Sequence, residues 1–180
     1  MTDDPFAIDV LVESAAWRQM PRVKALVTRA ACAALAVGLA RRRRVSLCIA
    51  LMTDTAIARL NRDFLGKDRA TDVLAFPQLP GNTRRIAARL RARGSAAVEL
   101  GDVAVAKTAC TRGARENGKR LTDHVAHLVV HGTLHLLGHD HARPVETSRM
   151  RDLERAALAR LGIADPYRRA VPKPKARTAQ

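Results

Sequence analysis

Six histidines crowd into the 18 residues from His124 to His141, and their spacing dictates a helix that ends in a tight turn. In the run HLVVHGTLHLLGHDH, His131 and His135 stand four apart, so on a helix their rings leave one face about one turn apart. Two imidazoles so placed can reach a single metal ion. Gly138 then breaks the helix, and His141 can swing back as a third ligand. Three histidines leave one tetrahedral position open, the arrangement of a catalytic rather than a structural zinc. No cysteine stands beside the run, which argues against a closed Cys-rich site. His124, His127, His131 and His135 share one stripe, so spacing alone leaves 127 and 131 open as the helical pair. A buried helix with a few hydrogen-bonded histidines is the plainer alternative.

The residue after His131 is Gly132, where a zinc peptidase of the HExxH kind carries its general-base Glu. That weakens peptidase chemistry but not hydrolysis as such, because zinc alone lowers the pKa of bound water to about 7. A nuclease could use that hydroxide, or use the metal to stabilise charge on a phosphoryl oxygen.

Around this run the apolar pattern lays out a single domain. Ile8 to Val12 reads as a short strand, and Trp17 to Leu39 as one Ala-rich helix, kinked near Pro21 and ended by Gly38. Val45 to Met52 (VSLCIALM) is a nearly continuous apolar stretch of strand length, which predicts an interior strand. Thr53 or Asp54 can cap a helix from Thr55 to Phe64. Strands are predicted at Thr71–Phe76, stopped by Pro77, and at Gly101–Lys107. Between them GNTRRIAARLRARG (81–94) carries five arginines and no acid, and reads as a basic loop or a short exposed helix. Helices follow at about 108–118 and 121–137, and after the histidine turn at Pro144–Leu161, the last with acids and arginines on its outer face. From Pro166 a basic, proline-containing tail is expected to be disordered, leaving 1–165 as the domain and 166–180 as the tail. This order of elements suggests an α+β fold: a small mixed sheet of about four strands packed with helices, the metal helix along it and the site in an open cleft.

Charge narrows the partners. The chain has 32 Lys and Arg against 17 acids, a formal net charge of +15. Such an excess favours an anionic partner, and a nucleic acid backbone is the commonest one; an Arg-rich proteome is the competing cause. Aromatic residues are only 3%, and none interleaves with the arginine-rich segment or the tail to suggest base stacking. The longest uncharged apolar run, Ala30 to Ala40, is too short to span a bilayer, so no membrane partner is expected. An acidic MTDDPF start and three cysteines without CxxC spacing fit a reducing cytoplasm.

Three blocks, LNRDFLGKDRATDVLAFP (60–77), LGDVAVA (100–106) and HLVVHGTLHLLGHDH (127–141), resemble those of the YbeY family of bacterial rRNA maturation endoribonucleases, in the family's order and across most of the chain. Met150 and Glu154 fit the helix that follows the histidine turn. The resemblance implies a single-domain α+β protein that uses one zinc ion (Zn2+) and cuts single-stranded RNA. It further implies action in ribosomal RNA processing, including maturation of the 16S rRNA 3′ end, and in ribosome quality control. The implied partners are ribosomal RNA and the ribosomal subunit, together with ribosomal proteins or an assembly GTPase. It assigns the metal to His131, His135 and His141, and makes His127 a recurrent non-ligand suited to a supporting hydrogen bond or a core position.

The chain departs from the family pattern twice. Leu65 stands where an Arg usually precedes Gly-Lys-Asp, an arginine suited to gripping RNA phosphate or stabilising transition-state charge. Arg62, Lys67 and Arg69 are the nearby candidates for RNA binding, though an arginine a turn or a loop away is not automatically equivalent. His139 replaces the usual Tyr and is expected to be an exposed turn residue. No catalytic side chain is assigned. The competing function is a non-catalytic RNA-binding ribosome-assembly factor with a structural zinc, a reading that Leu65 keeps open.

Overall fold

Why the sheet has one strand buried on its helix-covered face follows directly from VSLCIALM. In the computed structural model, which describes residues 5–39, 43–94 and 96–168, this segment forms β2 (Val45–Met52). Its Val45, Leu47, Ile49 and Leu51 are all but inaccessible to solvent. On one side β2 pairs in parallel with β1 (Phe6–Val12), on the other in parallel with β4 (Val98–Ala106). The short β3 (Val73–Pro77) closes the far edge antiparallel to β4, giving a mixed four-stranded sheet in the order β1-β2-β4-β3. The interior placement of Val45–Met52 and the α+β class are as the pattern predicts.

Each strand's period of two decides what it faces. In β1, Phe6, Ile8, Val10 and Val12 point to the main core while Ala7, Asp9 and Leu11 point out. The main core lies between the sheet and α2 (Val23–Gly38), α6 (Leu121–Leu136) and α7 (Pro144–Ala159). Against the other face, α3 (Asp54–Leu65) builds a smaller cluster of Ile57, Met52, Leu74 and Ala106. Thr53 caps α3 through its hydroxyl, which accepts from the Ala56 N–H. Asp54 spends its carboxylate elsewhere, accepting from Thr108 and Ala109 N–H at 3.0 and 3.3 Å and so capping α5 (Lys107–Glu116).

Two expectations change and one open alternative is decided. The single helix over 17–39 is two: α1 (Ala15–Arg18) stops before Pro21, and α2 restarts after Arg22, whose φ of 55° is left-handed. Proline disfavours helical geometry in the residue before it and brings no N–H, so a break replaces the expected kink. Trp17 makes the break a fixed one, its indole N–H donating to the Met52 carbonyl at 3.0 Å. Of the two readings of 81–94, loop or short exposed helix, the helix holds, as α4 (Thr83–Ala92). Asn82 caps it, and Ile86 and Leu90, four apart, bury one face despite the arginines around them. Finally, the segment read as a tail from Pro166 begins inside the packed structure, since Tyr167 lies on α7; residues 169–180, like Arg41 and Arg42, fall outside the described residues. No helix among the described residues is long and apolar enough to cross a membrane.

Candidate metal centre and adjoining basic cleft

Helix α6 carries the histidine stripe, and its sequence fixes which way the stripe faces. Val125, Ala126, Val129, Val130 and Leu134 bury the opposite side, and Gly132 lies on the sheet. A β-carbon at Gly132 would come within 2.7 Å of Val103 Cγ1 and 3.5 Å of Val73 Cγ2. Position 132 therefore points into the β-sheet and away from the histidines, so a Glu there could not serve as a base at this centre.

After α6 the chain turns at Gly138, with φ of 78°. Here glycine is required twice over, because a β-carbon would also fall 2.8 Å from the backbone of Gly81 and Asn82. Past the turn, His141 N–H donates to Asp140 Oδ1 at 2.7 Å, and its carbonyl accepts from the Thr147 hydroxyl of α7 at 2.9 Å. The turn brings His141 back over the helix: its ring centroid lies 5.6 Å from that of His131 and 5.2 Å from that of His135.

One ring nitrogen from each of His131, His135 and His141 lies within 4.8 Å of the others. The Nε2 atoms of His131 and His135 are 3.0 Å apart, close to the roughly 3.3 Å that two imidazoles keep on one tetrahedral ion. Burial, reinforced by the neighbouring His131 and His141, pushes the pKa of His135 down to about 4, so the ring stays neutral and able to ligate. The donor set suits a borderline-soft divalent cation.

The orienting group is Glu154 of α7, buried to 1% exposure. Its Oε1 lies 2.7 Å from His131 Nδ1, which directs the other nitrogen, Nε2, toward His135. Its Oε2 accepts from the Tyr167 hydroxyl and lies 3.5 Å from His127 Nε2. Burial works to raise the Glu154 pKa, but the facing His127 and His131 prevail and hold it down at about 2, so the carboxylate is charged. Tyr167 is itself fixed: its N–H donates to Asp165 Oδ1 at 2.9 Å, and the Arg151 and Arg155 guanidinium groups flank its ring at 4.9 and 5.3 Å. A cavity of about 360 Å³ opens beside the centre, lined by His131, His141, Thr147, Arg151, Glu154 and Tyr167.

A second cavity of about 360 Å³ lies at the other end of the stripe, where His124 Nε2 approaches Asp72 Oδ2 at 3.6 Å. Leu65, Lys67, Arg69 and Arg112 line it. Asn61, 3% exposed, holds the loop by donating to the Arg69 carbonyl at 2.8 Å. Arg62 is not among its walls, being turned to Asp63 and Asp68 at 3.4 Å each. His124 and His131 are seven residues apart, two turns and about 10 Å, so cleft and centre share one face of α6.

His139 is buried, 7% exposed, and not an exposed turn residue. Its backbone N–H follows the helix end by donating to the Leu134 carbonyl at 3.1 Å, which tucks the ring among Gly38, Leu137 and Arg149. Burial, and then Arg149, pushes its pKa down to about 4.

The family profile described as Endoribonuclease YbeY matches residues 13–162. The chain belongs to the YbeY endoribonuclease family. Relatives named Endoribonuclease YbeY include one from Parvibaculum lavamentivorans, 41% identical over 89% of this chain and 84% of its own. Another, from Sphingopyxis alaskensis, is 42% identical over 68% of this chain and 71% of its own. A third, from Rhodopseudomonas palustris, is 37% identical over 91% and 93%. In fold, the chain resembles the solution structure of TM1509 from Thermotoga maritima, with a TM-score of 0.52 at 20% identity over 86% of this chain and 91% of that one. Within the YbeY family the His131–His135–His141 cluster can hold a metal ion, and the matched span ends before Tyr167.

Sequence reasoning missed the roles of Glu154, Tyr167 and Arg112. Glu154 had a signal. Met150, Glu154, Ala157 and Leu158 are the buried positions of α7, at helical spacing, so the acid stands in the apolar stripe rather than on the outer face. Tyr167 had none, because the turn at Asp165 that returns it to α7 has no periodicity to read.

Proposed function

We propose that this chain is a zinc-dependent endoribonuclease that cuts single-stranded segments of ribosomal RNA, including the 3′ end of 16S rRNA, during maturation and ribosome quality control. The observation that carries the reading is the convergence of three imidazole nitrogens within 4.8 Å, one of them steered by a buried carboxylate, in a member of an endoribonuclease family. His131, His135 and His141 would hold one zinc ion. Bound there, zinc supplies Lewis acidity, lowering the pKa of water and stabilising negative charge that builds on a phosphoryl oxygen.

The chain's own groups do the rest. Glu154 keeps His131 in the ligating tautomer, and Tyr167 and His127 keep Glu154 in place. Lys67, Arg69 and Arg112 in the cleft attract the phosphate backbone. Arg151, on the wall of the cavity beside the centre, is within reach of a phosphate lying there. The shared face of α6 lets one strand run from cleft to centre. Ribosomal RNA in a ribosomal subunit, with ribosomal proteins or an assembly GTPase nearby, is the partner set this reading takes, in the cytoplasm.

His135→Ala, assayed beside the unaltered protein on a structured rRNA fragment with metal content measured, tests it. The expected result is a folded variant that has lost its zinc and cuts at least a thousandfold more slowly. The competing reading, an assembly factor with a structural zinc, rests on the exposed Leu65 in the cleft. It predicts that removing the metal unfolds the protein and that neither protein cuts.

A further inference from the structure

Helix α4 is absorbed by none of this. Ile86 and Leu90 pin it to the core, and its N-terminal end abuts Gly138 of the histidine turn, where Ile86 Cδ1 and the Asn82 backbone leave no room for a β-carbon. Its outer surface is dominated by arginine, at 84, 85, 89 and 91 and at 93 just past its end, all exposed. Among the described residues, none of these five guanidinium groups has a carboxylate within 4.0 Å. Arg85 and Arg89, and Arg89 and Arg93, repel across one helical turn, at a cost of a few tenths of a kcal/mol per pair. A helix pinned in place with its like charges unrelieved is a preformed site for a polyanion.

Beside it is a groove of about 380 Å³ whose form narrows the ligand. Arg43, Arg84, Arg91 and Arg149 stand around it, Leu39 and Leu137 contribute apolar surface, and among the described residues no carboxylate belongs to its walls. Arg43 is held there by donating to the Gly94 carbonyl at 3.2 Å. A neighbouring cavity of about 220 Å³ shares Arg84, His139 and Arg149 with it and reaches Gly138 and Asp140, directly before His141. Guanidinium groups alone would suit any anion. Guanidinium groups around an apolar recess suit a flat apolar body with charge on either side, because arginine planes stack on bases while their N–H groups bind phosphate.

We propose that this groove takes one unpaired nucleotide of an RNA strand, its base against Leu39 and Leu137 and its flanking phosphates on Arg84, Arg91 and Arg149. It is a second contact, separate from the Lys67–Arg69 cleft, and would lie on the opposite flank of the histidine turn. The inference deepens the endoribonuclease reading and rests on it for the identity of the strand. A duplex cannot use the recess, since its bases are stacked and paired.

The test is a binding titration of the full-length protein and Arg84→Gln/Arg91→Gln with a short unstructured oligoribonucleotide, a blunt RNA duplex and an acidic peptide, each over a range of salt. Both substituted positions are exposed, so the variant should melt as the unaltered protein does. The expected result is about tenfold weaker binding of the single strand, a salt slope smaller by about 1.4 for two lost phosphate contacts, and a much smaller change on the duplex. In cleavage assays KM should rise more than kcat falls. Unchanged single-strand affinity and slope would overturn the proposal, and so would equal losses on duplex and single strand, which would mean undirected charge. An acidic peptide that competes as well as the oligonucleotide would assign the groove to a protein partner instead. The two readings fail separately: a protein that binds through Arg84 and Arg91 but never cuts sinks the nuclease and keeps the groove. One that cuts with unaltered KM in the variant does the reverse.

Discussion

At the scale of single residues, the histidine cluster depends on groups that are not among its three candidate ligands. Glu154 sets the tautomer of His131 from a buried position, and Tyr167 donates to the oxygen that His131 does not use. Glu154→Gln keeps the shape but replaces one acceptor oxygen with an N–H2 group. Zinc affinity should fall 10- to 100-fold, as for other groups that orient a ligand, read by competition with a chromophoric chelator. Tyr167→Phe removes only the hydroxyl and should weaken affinity in the same direction by about tenfold or less. It should also alter the visible spectrum of the cobalt-substituted protein, which a purely structural tyrosine would leave unchanged. Leu65 is 55% exposed and lies in the cleft with Lys67 and Arg69, so Leu65→Arg should cost under about 0.5 kcal/mol of stability. If the cleft carries RNA, that variant should cut the same fragment faster at limiting substrate. Gly132→Glu should create no peptidase; it should destabilise the fold by about 3 kcal/mol or more, because the side chain enters the packing against Val103.

At the scale of elements, α6 is held to the start of β3 by His124 and Asp72, whose carboxyl pKa is lowered by the facing imidazole despite partial burial. A carboxyl group with a depressed folded pKa stabilises the protein above its unfolded pKa, and that stabilisation is lost as pH falls through the lower folded value. Asp72→Asn should therefore lower the melting temperature at neutral pH and bring it closer to the unaltered protein's in strong acid, measured by thermal melts from pH 7 to about 2. How far these elements could be read in advance depends on how much of each carries a period. In β2 every residue but Ser46 is apolar, and in α6 the apolar and histidine stripes coincide with turns, so both were legible almost to the residue. In α4 only Ile86 and Leu90 mark the buried face, too few among five arginines to choose helix over loop. The break between α1 and α2 was legible only as a kink, since Pro21 marks a boundary without saying how wide it is. His139 was misjudged because a turn after a helix is normally solvated, whereas this one lies under α4 and against Gly38. The three ligands were legible because 131, 135 and 141 are close in sequence; Glu154 and Tyr167 come from other elements, which no local pattern connects.

At the scale of the whole molecule, a formal charge of +15 makes RNA affinity a matter of ionic strength. If about six phosphates are engaged, single-strand binding should weaken roughly 300-fold between 50 and 200 mM salt, and a titration of affinity against salt reads the number directly. A slope near zero would mean that the excess arginine is unused. Charge also gathers on two flanks, the cleft at Lys67 to Arg112 and the α4 groove, with the histidine turn between them.

The ordering of these parts along the chain has a bearing on how the protein is born. Translation proceeds from the first residue onward, and the three histidines, complete by His141, are made before the carboxylate at 154 that orients the His131 ring and the tyrosine at 167 that holds that carboxylate. A ribosome part-way through this message thus carries the three candidate ligands before the side chains that orient them have been made.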